Sequence, residues 1–261
     1  MRVVVSRGFS RRQDHIKFSK NFFRFAKREA NHRQRTLPSA QMASAAASAA
    51  RPGVAYTLGR TLYLSLTNRS NAAGILQTRG PGFVMPSTSL FVPLPKGAAE
   101  PTAVELAAVV DAWYQHGDIV GMGENDRGVV FAGAGEPLLR LDVLVDTMDL
   151  VRESRHGVLF RVRSDGLHPT TTARALADAK VDRVTVALAT ADPRQFRALV
   201  KPSGNEHDDL STVCGCIASL AEFGVDVEAV TVAAPNVDVA AARKLSEALG
   251  ASSHRTREYF P

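Results

Sequence analysis

A mostly parallel α/β architecture, an open partial barrel or a doubly wound sheet, is expected of this 261-residue chain from three features. Short β-branched or apolar runs alternate with amphipathic stretches of 10–16 residues from position 54 onward, which is the pattern of strands joined by right-handed helical crossovers. The βα unit recurs about five times and ends on a strand, giving six strands where a closed barrel needs eight. Hydrophobic residues at 45% and charged residues at 22% allow a sizeable core.

The elements follow in order. Residues 61–66 are β-branched and apolar and form the first strand. Over 102–116, Val104, Leu106, Ala107, Val110 and Trp113 recur at helical spacing behind Thr102, an N-cap with Glu105 three residues on. The apolar run 128–132 suits a buried parallel strand. A helix at 138–153 carries Leu141, Leu144, Val145 and Met148, and is followed by a strand at 158–162, a helix at 170–179 and a strand at 183–189. A helix at 208–223, a strand at 227–233, a helix at 238–249 stopped by Gly250 and a strand at 252–259 complete the chain. In such sheets ligands meet the carboxyl ends of the strands. That rule selects 67–79, 133–137, 163–166, 190–193 and 234–236. The long stretch 74–97 would lie over those ends as a lid or partner surface.

Residues 1–50 differ from the rest. Eleven of the 32 Lys and Arg residues fall within 1–41 against only Asp14 and Glu29, leaving 21 basic and 24 acidic residues in 42–261. A basic, serine-bearing, acid-poor segment with an amphipathic run at 18–28 reads as an organellar transit peptide, mitochondrial before plastid. The alternative is a flexible leader, with Met42 as a second start and a cytoplasmic product. The net charge of +6 therefore belongs to the leader, and direct nucleic-acid binding by the body of the chain is not expected. No apolar window reaches the length of a membrane span. Expected domains are thus 1–50, the leader, and 51–261, the α/β unit.

Two strand ends carry a resemblance. Gly133-Ala134-Gly135-Glu136-Pro137 resembles the glycine-rich Gly-Glu-Pro element of radical S-adenosylmethionine (SAM) enzymes, and 62–69 is similar to the strand that delivers their first cluster cysteine. The run Leu139-Arg140-Leu141-Asp142-Val143-Leu144 behind it resembles the TatD-associated radical SAM proteins, a likeness continuing through 161–167, 197–202 and the last strand. The resemblance implies a partial (βα)6 TIM-like barrel of the radical SAM type over residues 54–260. It also implies a SAM site at Gly133, Gly135, Glu136 and Pro137, with Ser164 and Asp165 contacting a ligand, and a TatD-type nuclease as a possible partner. Family members hold a [4Fe–4S] cluster on Cys-x3-Cys-x2-Cys after the first strand. The matching positions here are Ser70, Gly74 and Gln77, none of which offers a thiolate. The cluster is therefore expected to be absent and the chain to be a non-catalytic SAM-binding, small-ligand-binding or scaffold protein. The alternative is an active enzyme whose cysteine segment was misread.

Other residues carry weaker signals. Cys214 and Cys216 are the only cysteines and, two apart on a helix, point away from each other. Glu136 could accept an ammonium group or simply bond backbone amides of its own turn. Ser164-Asp165-Gly166 could touch a ligand or form a plain turn, with Gly166 at positive φ. Arg79-Gly80-Pro81-Gly82 is an anion-binding candidate or loop punctuation. Residues 205–209 gather His207 with three acids, a pattern commoner at a solvated helix start than at a metal. No hydrolase elbow or phosphate-binding loop occurs.

Overall fold

The computed structural model describes residues 51–114, 120–203 and 209–261, all within the unit formed by 38–261. Residues 1–50, expected to be a leader, and 115–119 and 204–208, which include most of the 205–209 cluster, lie outside the described residues.

Seven strands form one sheet in simple chain order. Strand β1 (Ala55–Leu58) pairs antiparallel with β2 (Thr61–Leu64) across a tight turn. From β2 onward every pairing is parallel: β3 (Val129–Phe131), β4 (Phe160–Ser164), β5 (Arg183–Ala187), β6 (Asp226–Val232) and β7 (Ser253–Arg257). A monotonic order places every right-handed crossover on the same side, so the helices cover one face and the sheet curls around the other. The partial α/β barrel is thus the observed fold, and the doubly wound alternative, which needs helices on both faces, is not. The β1 hairpin arm adds a seventh strand to the six expected.

The crossovers are α1 (Ile75–Thr78), α2 (Ala103–Trp113), α3 (Leu141–Ser154), α4 (Thr170–Asp178), α5 (Pro193–Val200), α6 (Leu210–Glu222) and α7 (Val239–Ala248). Four start on the side-chain caps expected of Thr and Asp. Thr102 Oγ1 accepts from Glu105 N, and Asp192, Asp209 and Asp238 accept from amides of their first turns. The Glu105 carboxylate does not close a capping box; it pairs with Arg51 at 2.6 Å. Helix α5 is an addition to the expected elements, announced by an Asp N-cap with Pro at the first helical position.

The core lies between sheet and helices. Leu62, Leu64, Phe131, Phe160, Val162, Val184, Val186 and Ala229 meet Leu106, Leu144, Met148, Leu176, Val213 and Ile217, all at most 1% exposed. Removing a large side chain from such packing costs about 2–5 kcal/mol. The opposite, inner face is smaller and changes character across the sheet. Beside β1–β3 it is apolar: Tyr56 stacks on Tyr63 at 4.8 Å, and Phe91 packs edge-on against Tyr56. Phe91 belongs to 74–97, whose path is fixed by a two-way bond between the Asn68 side chain and the Leu94 backbone. In β4 and β5 the burial alternates, and the inner positions of β4–β7 include five arginines with Asp226 and Glu228.

Candidate functional site

The loops selected by the strand-end rule converge. Residues 67–69 after β2, 133–137 after β3 and 164–168 after β4 touch one another, and glycine makes the contact possible. A Cβ on Gly135 would come within 2.6 Å of Thr67 O and 2.7 Å of Asn68 C, and one on Gly133 within 2.8 Å of Ser65 Cβ. Close backbone approach is the role these two glycines visibly fill. Glu136 N then donates to Arg69 O at 2.8 Å, and Pro137 begins a short 3-10 turn.

Glu136 points inward and is 4% exposed. Its Oε1 accepts from Leu138 N at 3.1 Å and its Oε2 from Asp165 N at 2.8 Å. The backbone-bonding reading of this side chain therefore has a direct geometric basis. Asp165 Oδ1 accepts from Leu167 N, Ser164 Oγ accepts from Gly166 N, and Gly166 takes φ +78°. The turn expected at 164–166 is present, and its two polar side chains are engaged within it.

His168 completes the group and was missed by sequence reasoning. Its Nε2 lies 3.3 Å from Glu136 Oε1 and 3.5 Å from Asp165 Oδ1, with all three side chains buried. Among the described residues these are the only three His, Cys, Asp or Glu side chains placed to share a metal ion, their ligand atoms lying within 4.8 Å of one another. The three amides that the carboxylates accept identify the group first as a clamp joining the loops after β3 and β4. The available signal was the Asp165-x-x-His168 spacing in a strand-end loop.

A second polar cluster adjoins it. Glu100 accepts from the Thr67 hydroxyl and binds Arg69 at 3.1 Å and Arg140 at 3.2 Å, while Arg140 also donates to Leu66 O. Burial alone would raise the Glu100 pKa, but the Thr67 and Arg69 hydrogen bonds outweigh it and lower it.

The segment that would carry an iron–sulfur cluster is held by local bonds and by backbone bonds of Asn71 and Ala73 to Ser203 and Val200. Ser70 Oγ bonds both the carbonyl and the amide of Ala72. Gly74 N donates to Gln77 Oε1 at 2.7 Å, capping α1. A hydroxyl, a bare Cα and an exposed amide do not fit a [4Fe–4S] cluster, which requires thiolates. Both cysteines lie on α6 rather than in this loop. Burial pushes the Cys216 thiol up to about 12, with Glu136 and Asp165 adding to the effect, and burial also raises Cys214. Neither has the low-pKa character of a metal-binding or reactive thiol.

Arg79 is stacked over Phe83 at 4.1 Å and Phe260 at 4.9 Å, and donates to Glu258 O. Phe260 N donates to Arg79 O and Gly82 N donates to Phe260 O, lacing 79–83 to the C-terminal tail. Beside these loops is a cleft partly open to solvent. It is walled by Ala187, Ala189, Leu199, Val200, Val230 and Val232, with Asp165 at its edge.

No protein-family model and no curated protein matches the chain. Solved structures do. The native protein anSMEcpe with bound AdoMet aligns with a TM-score of 0.55 at 14% identity, covering 77% of this chain and 51% of its own. SuiB of Streptococcus suis, bound to its precursor peptide SuiA, gives 0.55 at 12% identity, with 90% and 47% covered. Methylornithine synthase (PylB) gives 0.50 at 11% identity, with 85% and 60% covered. The chain spans about half of the length of the first two and three-fifths of the third. The architecture is that of the radical SAM partial barrel. At these identities the likeness shows the fold alone.

Proposed function

We propose that this chain is a non-catalytic small-molecule-binding protein built on a radical SAM-type barrel. The observation that carries the reading is the placement of sulfur. The strand-end loop holds Ser70 bonded to Ala72 and Gly74 bonded to Gln77, while the only two thiols lie on α6, in a crossover helix rather than in that loop. Reductive cleavage of a sulfonium draws its electron from a metal cofactor, and the protein contributes binding and orientation. Lacking a place for that cofactor, the chain retains the second role.

The binding half of the proposal rests on the cleft beside the loops. Its apolar walls and single acidic edge match the common build of a small-ligand pocket. SAM is one occupant that the Gly133–Pro137 resemblance suggests, with Asp165 the acidic group of the cleft lining available to its ammonium group and Glu136 behind it. Anaerobic incubation of purified protein with SAM and a strong reductant tests the reading. SAM recovered intact is the expected result, and conversion to sulfonium-cleavage products would refute it. Titration calorimetry with SAM on wild type and Glu136→Ala tests SAM itself: heat lost in the variant supports a part for the Gly-Glu-Pro loop, and equal heats or none leave Glu136 a structural clamp.

A further inference from the structure

The inner face of the sheet carries more positive charge than its neighbours neutralise. In parallel sheets covered on both faces, strands read as continuous apolar runs. Here β4 and β5 alternate and β7 is polar throughout. Register places Arg161 beside Arg183, Arg183 beside Asp226, and Val232 beside Arg257. These positions share the face turned away from the helices, because side chains alternate along each strand. Two of the five arginines on that face are neutralised: Arg183 by Asp226 at 2.5 Å and Arg255 by Glu228. The other three are not. Arg163 donates only to the Tyr63 hydroxyl at 3.0 Å and lies over its ring. Arg161 Nε is buried without a hydrogen-bond partner, and among the described residues neither Arg161 nor Arg257 has a carboxylate partner.

A half-buried cation without a counter-charge is costly, and like charges held together add to the cost. Burial lowers the Arg161 pKa, and Arg183 and Arg127 lower it further against Asp226 and Glu228; burial likewise lowers Arg257, with Arg163, Arg255 and Arg79 adding to it against Glu228 alone. Such an arrangement is explained when an anion completes it. The position of the cleft agrees, since Val230 and Val232 in its wall are the register partners of Arg255 and Arg257. The arginines therefore continue the sheet face next to the apolar wall of the cleft, one strand beyond it.

We propose that the inner face seats an anionic small molecule, its phosphate or carboxylate group held by Arg163 and Arg257 and its apolar part lodged against Ala187, Val230 and Val232. Guanidinium forks match either oxyanion bidentately. The inference deepens the small-molecule reading above and rests on it. It also ranks the occupants: SAM bears net positive charge and meets repulsion on this face.

Thermal unfolding of the purified full chain at low ionic strength, with pyrophosphate, citrate, adenosine 5′-monophosphate or adenosine, tests the proposal. At a hundredfold excess over Kd the melting temperature rises by about 5 °C with at least one anion. Pyrophosphate against citrate tells phosphate from carboxylate. Adenosine gives no rise, and added salt erodes the anion effect. Arg163→Gln and Arg257→Gln each lose the rise, while Lys244→Gln on the outer helix α7 keeps it. Without ligand, Arg257→Gln melts no lower than wild type, because a repulsive charge has been removed. No rise with any anion, an equal rise with adenosine, or a rise retained in both arginine variants would overturn the inference. Those results leave the sulfonium-cleavage test untouched. Cleaved SAM together with an anion-dependent rise would instead overturn only the non-catalytic reading.

Discussion

Glu136, Asp165 and His168 bring two carboxylates and an imidazole together where water is excluded. Removing the imidazole leaves two buried acids facing each other, so His168→Ala should lower unfolding stability by about 3 kcal/mol. Urea denaturation measures it. A change below experimental error would mean that the clamp does not join the loops. Cys216 tests the same neighbourhood through pH. Its thiol is raised from an ordinary 9.0 to about 12, by burial first and then by Glu136 and Asp165. A folded pKa above the unfolded one gives stability that is complete below about pH 9 and lost as pH climbs toward 12. The slope approaches ~1.4 kcal/mol per unit. Stability of Cys216→Ala should therefore fall less steeply than wild type between pH 9 and 11. Glu136 was legible in the sequence because a Gly-Glu-Pro run after a strand is rare. His168 was not, since a lone histidine three residues past an aspartate has no signature until the loops are folded together.

At the scale of elements, the β3 loop is held by contact with 67–69, and glycine permits that contact. Gly135→Ala pushes a methyl group into the Thr67 carbonyl and should cost about 1–3 kcal/mol. Gly215 is the contrast: it lies inside α6 with open space at its Cβ position, so Gly215→Ala should stabilise by about 0.5–1 kcal/mol. Chemical denaturation of the two variants side by side should give opposite signs, and equal signs would refute the assignment of Gly135 to close packing. Most strands and helices were readable because apolar periodicity and Asp or Thr caps coincide. β1 was not, because Ala55–Leu58 is short and its Tyr56 looks like loop until it stacks on Tyr63. Helix α5 carried a capping signal in Asp192-Pro193, but its eight residues hold only two buried side chains. The alternation of arginines in β4 and β7 was equally visible. It acquires meaning only once strand register places both on one face.

For the whole molecule, overall charge proved a poor guide to local charge. Residues 42–261 hold more acids than bases, yet the acids lie mainly elsewhere and the inner face keeps three unneutralised guanidiniums. The barrel architecture was legible from alternation and strand count, whereas the charge of its interior depends on which alternate residues turn inward. The same logic governs function: the architecture of a radical SAM-type barrel is present, and what decides its chemistry is a handful of side chains at the strand ends. Quantifying iron and acid-labile sulfide after anaerobic reconstitution tests this most directly. The account predicts colourless protein with iron far below one atom per chain. A brown product with about four irons and matching sulfide per chain would contradict it.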